Sequence, residues 1–207
     1  MSAFAELARL GAATVYEAAG RRGLVELPLH RVVAGSRAAG PARTVRCGQD
    51  DNLMVHAALA ALEPGEVLVL TMPEPSPVAL VGELLATQAR VRGAAAVLVD
   101  GAVRDRDELA ELGLPIWARF VSIRGATKDV VGELDVPVTV GGARIAPGDA
   151  VVLDGDGAAV VPRERIDEVV GLALGREAKE ADKREFLRAG HLSYDLDGLR
   201  ERVEGRA

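Results

Sequence analysis

The chain has one cysteine in 207 residues, Cys47. A lone thiol excludes an internal disulfide framework and any cysteine-based zinc site. Aromatic residues make up only 3% of the chain, so Val, Leu and Ala must fill its core. No apolar run approaches the roughly 20 residues needed to span a bilayer, so no membrane is expected as a partner. The start, MSAFAELARLGAATVYEAAG, carries Glu6 and lacks a basic segment followed by a long apolar one. It does not read as a secretory leader, and the cytoplasm is the expected compartment. No basic run with interleaved aromatics occurs and the formal net charge is −6, so nucleic acid is not an expected partner. Lysine is scarce: Lys179 and Lys183 fall in a highly charged segment, and Lys128 lies in RGATKD, which reads as a loop. None looks desolvated, as imine chemistry through a lysine requires. The three histidines, His30, His56 and His191, never fall at i, i+3 or i+4. That spacing supports neither a histidine metal site nor a catalytic pair, and His56, inside a helical segment, reads as structural. The phosphate-loop pattern, G-x-G-x-x-G after a strand, and G-x-S-x-G are all absent.

What is present is 49% hydrophobic and 27% charged residues, the balance of one large domain with a real core. The 23 glycines predict many tight turns. Apolar residues recur at helical spacing from Phe4 to Ala19, with Thr14 and Glu17 spaced as a capping box for a second short helix. Residues 53–62 read as a helix with Asp51 as a possible N-cap, ended by Pro64 and Gly65. EVLVLT (66–71) and AAVLVD (95–100) read as short buried strands, with the helix GELLATQARVR (82–92) between them. MPEPSP (72–77) is a loop, residues 108–112 a helix, and residues 115–120 another strand. From Val136, β-branched runs separated by GG, PGD and DGDG predict hairpins. Residues 163–190 read as a long polar helix with Gly171 and Gly175 as weak points. The order of elements predicts one compact α/β domain over residues 1–190, with a projecting C-terminal helix and a surface tail over 191–207.

The chemistry concentrates after the AAVLVD strand, at Arg104, Asp105 and Glu108. D-x-x-E ahead of an apolar-periodic segment is a capping-box pattern and needs no function. It leaves Arg104 unexplained, because a cation just before a helix start opposes the helix dipole. An Arg and an Asp at the end of a buried strand also suit a small keto acid, the Arg holding a carboxylate or carbonyl oxygen and the Asp a hard divalent metal. Gly82 ahead of Glu83-Leu84-Leu85 reads as an ordinary helix start or as an anion site made by free N–H groups. In an open α/β sheet, helix N-termini and strand C-terminal ends share one side. Gly82, Glu83, Leu84, Leu85, Arg104 and Asp105 are therefore candidates for one cleft. With no buried lysine available, a metal ion is the other way to stabilise an enolate.

GELLATQARVRGAAAVLVDGAVRD, PIWARF and VPVTVGGARIAPGDAVVLDGDGAAVVP together resemble the RraA-like family, from about Leu10 to Gly190. That family includes class II 4-hydroxy-4-methyl-2-oxoglutarate aldolases and a regulator of ribonuclease E activity. The resemblance implies a swivelling β/β/α sandwich, assembled as homotrimers or hexamers with the site at a subunit interface. It implies that Asp105 binds Mg²⁺ or Mn²⁺ and that Arg104 contacts the pyruvate oxygen that becomes the enolate. The amides around Leu84 and Leu85 are implied to receive the substrate carboxylate, and Glu83 to orient water around the metal. Glu108 matches an acidic position shortly after the Arg-Asp pair. Glu180, with Glu177 as the fallback, matches a glutamate supplied by a neighbouring subunit. The activity implied is metal-dependent cleavage of a 4-hydroxy-2-oxo acid to pyruvate, with oxaloacetate decarboxylation as a second reaction. The alternative is a protein-binding inhibitor of a ribonuclease. One departure is visible: relatives often carry T-x-x-D-A early, where this chain has Thr14-Val15-Tyr16-Glu17-Ala18.

Overall fold

The computed structural model describes residues 2–205. The first helical stretch is two helices, α1 (Ala3–Leu10) and α2 (Ala12–Ala18), parted at Gly11. Gly11 turns the chain at φ +85°, and an added Cβ would stand 2.8 Å from Asp154 Oδ2. That carboxylate accepts the Ala12 N–H at 2.9 Å, so the cap of α2 comes from 142 residues away and Thr14 lies inside the helix. The expected Thr14–Glu17 capping box is therefore not formed.

Beyond α2 come β1 (His30–Arg31), β2 (Ala38–Arg46) and α3 (Leu53–Ala61). Next are β3 (Val67–Thr71), β4 (Ala79–Val81), α4 (Glu83–Val91), β5 (Ala96–Val103), α5 (Arg106–Leu112) and β6 (Ile116–Val121). The hairpin region holds β7 (Glu133–Leu134), β8 (Val138–Val140), β9 (Ala143–Ile145), β10 (Ala150–Leu153) and β11 (Ala158–Val161). A 3-10 turn at Arg163–Arg165 leads into α6 (Ile166–Arg188), which runs through Gly171 and Gly175 without a break. Residues beyond it form two short helices, α7 (Ser193–Leu196) and α8 (Leu199–Glu204), where a plain tail is expected. Among the described residues no helix is long and apolar enough to cross a membrane.

One large sheet has the order β1-β6-β5-β3-β2-β10-β11, with β4 added to β5 and β7 to β2. The pairs β2–β3, β3–β5, β4–β5 and β5–β6 are parallel, and β10 joins β2 antiparallel. Side chains alternate across a strand, so one continuous apolar run can serve two cores. Leu68 and Leu70 of β3 face a core shared with α3, α4 and α5. Val67 and Val69 face the opposite core, closed by the β8–β9 hairpin through Val138, Val140 and Ile145. This is the hairpin–sheet–helix layering that the resemblance implies. A third core sets Leu7, Val15, Val169 and Ala173 of α1, α2 and α6 on the outer strands β10 and β11.

Candidate functional site

The end of β5 carries the chemistry. The register of β5 against β6 shifts between Val99 and Ala102, where buried Asp100 accepts a hydrogen bond from Arg119 at 3.0 Å. Such irregularities re-aim the residues that follow. β4 then runs beside the end of β5, with Arg104 N–H donating to the Val81 carbonyl at 3.1 Å. This pairing lays Gly82 directly against Arg104 and Asp105.

Asp105 occupies the N-cap position of α5 in the left-handed region, at φ 57° and ψ 45°. Its side chain does not cap α5, so the expected capping box with Glu108 is absent. Instead Asp105 Oδ2 accepts the Glu83 N–H at 3.0 Å, tying the start of α4 to the end of β5. Asp tolerates this backbone region better than most residues, and backbone strain of this kind gathers at functional sites. The Arg104 guanidinium Nε lies 3.6 Å from the same carboxylate oxygen, and both side chains reach solvent. A Cβ on Gly82 would sit 2.5 Å from Asp105 Oδ2 and 3.0 Å from Arg104 Nε. Gly82 is extended, at φ −129°, so close approach rather than backbone freedom demands glycine here. The Leu84 and Leu85 N–H groups lie in the first turn of α4, where no intrahelical acceptor exists. They are free for an anion.

These groups border one open cleft of about 210 Å³, lined by Gly82, Leu84, Leu85, Arg104, Asp105, Ala79, Ala126, Asn52, His56 and Lys128. That is smaller than the roughly 300–1,000 Å³ typical of drug-sized ligands. Arg104 and Lys128 face a single carboxylate, so with the helix N-terminus the cleft favours anions. His56, read from the sequence as structural, is exposed on α3 and borders the cleft one turn from Asn52. Asn52 is 8% exposed, donates to the Leu80 carbonyl at 3.1 Å, and has a buried Oδ1 with no partner among the described residues. Lys128 is exposed as expected, and it too lies at the cleft.

Asp51 explains how the Lys128 loop is held. Its carboxylate is fully buried and accepts the Leu53 N–H at the start of α3, but from one residue before the N-cap, which is Asn52 and not Asp51 as expected. It also accepts from the Thr127 hydroxyl at 2.7 Å and from the Asp129 and Val130 N–H groups. Burial works against its ionisation, but these four donors outweigh it and hold the carboxyl down at about 2. No spacing rule could reveal this clamp, because its partners are 76–79 residues away.

Among the described residues no three His, Cys, Asp or Glu side chains gather as a metal cage. Asp105 Oδ2 is engaged, while no hydrogen bond engages Oδ1 among the described residues. One half-exposed carboxylate beside an open cleft fits Mg²⁺ or Mn²⁺, which take water and substrate oxygens as remaining ligands. It does not fit zinc, which takes three or four protein ligands. The other acidic candidates do not converge within one chain. Glu83 turns its carboxylate to the Thr87 hydroxyl at 2.8 Å, and Glu108 is exposed on α5. Glu177 and Glu180 sit on α6, paired with Arg9 at 2.6 Å and Arg176 at 2.8 Å.

The family model described as "RraA-like: Aldolase/RraA" matches residues 12–160. A Halalkalibacterium halodurans protein named "Putative 4-hydroxy-4-methyl-2-oxoglutarate aldolase" is 36% identical over 141 residues, 68% of this chain and 67% of the relative. The crystal structure of Streptomyces coelicolor RraAS2, described as "an unusual member of the RNase ES inhibitor RraA protein family", superposes with a TM-score of 0.78 at 32% identity. That match covers 88% of this chain and 95% of the other. The "RNA-processing inhibitor RraA" from Thermus thermophilis superposes at 0.61 with 34% identity, over 68% of this chain and 83% of that one. Sequence and architecture agree, and the chain belongs to the RraA-like family.

Proposed function

We propose that this protein is a divalent-metal-dependent lyase that cleaves a 4-hydroxy-2-oxo acid, such as 4-hydroxy-4-methyl-2-oxoglutarate, to pyruvate. Decarboxylation of oxaloacetate is its second activity. The observation that carries this reading is the contact of Gly82 with both Arg104 and Asp105 at the N-terminus of α4. The substrate carboxylate lies on the Leu84 and Leu85 N–H groups, and Arg104 donates to the C2 oxygen. Asp105 is the residue that would hold Mg²⁺ or Mn²⁺, whose bound form supplies Lewis-acid stabilisation of negative charge on that oxygen.

The C4 hydroxyl loses its proton through water, aided by Glu180 of the partner subunit in a homotrimer or hexamer and by Glu83 once its carboxylate turns from Thr87 toward the cleft. The C3–C4 bonding electrons move into the C2 carbonyl. A carbonyl forms at C4, and pyruvate enolate remains with its oxygen against Arg104. A proton from water at C3 completes pyruvate. Oxaloacetate loses carbon dioxide to the same enolate without a hydroxyl proton to remove.

Oxalate is a planar dianion shaped like that enolate, so it tests the assignment. It should inhibit pyruvate release competitively, and Arg104→Gln should weaken the inhibition about tenfold or more. Equal inhibition of both proteins contradicts the role of Arg104. The descriptions of the Streptomyces and Thermus structures favour a second reading, an inhibitor that docks on a ribonuclease. Ribonuclease inhibition by native protein, undiminished in Asp105→Ala, would support that reading.

A further inference from the structure

We infer that a second cleft, at the β11 edge of the sheet, binds a small organic phosphate. This cleft is about 310 Å³ and shares no lining residue with the first. Its apolar lining includes Leu24, Ala143, Val160 and Pro162, of which Ala143 and Val160 are buried. Its charged lining is Arg22, Arg144 and Arg165, with no carboxylate among the lining residues. Arg165 is held by Glu168 through two bonds of 2.9 Å and reaches the Ala19 carbonyl at 3.4 Å. Arg22 and Arg144 are exposed and have no carboxylate within ion-pair distance among the described residues.

The wall behind them is fixed backbone. The Val160 N–H donates to the Gly23 carbonyl at 2.8 Å, the Val25 N–H to the Ala158 carbonyl at 3.1 Å, and Leu24 bridges Ala159. Gly23 adopts φ +81° with no room for a Cβ against the Val160 carbonyl, which seats Arg22 at the cleft mouth. Arg144 is carried by the β8–β9 hairpin, in register with Thr139. In a chain of net charge −6, arginines gathered beside a concave apolar lining make a local anion site. Guanidinium forks match phosphate oxygens, and the apolar lining accepts the carbon part of the ligand.

Calorimetric titration of the full chain with phenyl phosphate at low ionic strength tests this, with inorganic phosphate as the second probe. Native protein should bind phenyl phosphate saturably and more tightly than inorganic phosphate. Arg22→Gln/Arg144→Gln should bind it about tenfold more weakly or worse, with an unchanged melting temperature, since both side chains are exposed. Arg104→Gln should bind it as native protein does, which separates this cleft from the first. Absence of saturable binding, native affinity in the double variant, loss in Arg104→Gln, or equal affinity for the two probes would overturn the proposal.

Discussion

At Gly82 one hydrogen atom in place of a methyl group keeps the site together. Gly82→Ala should push the Asp105 carboxylate and Arg104 apart, and a displacement near 1 Å can cost about 10²-fold in rate. The expected result is that loss in kcat for pyruvate release, with a native circular dichroism spectrum. Asp51 makes a prediction about pH. Its carboxyl is held at about 2, below the roughly 3.9 of an unfolded Asp, so its contribution is complete above that unfolded value. It is lost as pH falls through about 2, and native stability should drop between about pH 4 and 2. Asp51→Asn should be less stable at pH 7, by on the order of 2 kcal/mol, and flatter across that acid window in thermal melts. The two residues differ in how legible they are. Arg104 and Asp105 stand out because charge follows an apolar strand. Asp51 could be read only as a cap for its own helix, since the loop it clamps is far along the chain.

At the scale of elements, continuous apolar runs and glycine-proline punctuation make β3, α4 and β5 visible in the sequence, with ends displaced by at most three residues. β2, AAGPARTVR, is not visible, though it lies between β3 and β10. Gly40 and Pro41 disguise it, and so does Arg43, which is bound by Glu66 at 2.9 Å and by Asp135 at 2.8 Å. Gly40 is there because a Cβ would strike the Gly65 carbonyl, a contact only the fold reveals. β4 is hidden by its length of three residues, yet its pairing delivers Gly82 to the site. The α2 cap shows the same long-range logic. Asp154→Ala frees the Ala12 and Asp156 N–H groups, and should lower stability by about 1–2 kcal/mol in denaturant melts.

At the scale of the molecule, the sequence shows the sheet with helices on one face and a hairpin on the other only as α/β order, and the layering is implied by the family resemblance. Subunit contacts leave no local pattern in a sequence, so the choice between Glu177 and Glu180 turns on the assembly. Glu177 already grips Arg9 with both oxygens, at 2.6 and 2.7 Å. Glu177→Gln should therefore leave pyruvate release unchanged and shift the melting temperature little, because an exposed pair contributes little to stability. Glu180→Gln should lower the rate without changing the mass of the assembly by light scattering. On the proposed function, Asp105 and its neighbours form a metal-dependent lyase site. The most direct measurement is pyruvate release from oxaloacetate and 4-hydroxy-4-methyl-2-oxoglutarate by Mg²⁺-loaded protein, chelator-treated protein and Asp105→Ala. Turnover is expected in the first alone. Equal background rates in all three would contradict it.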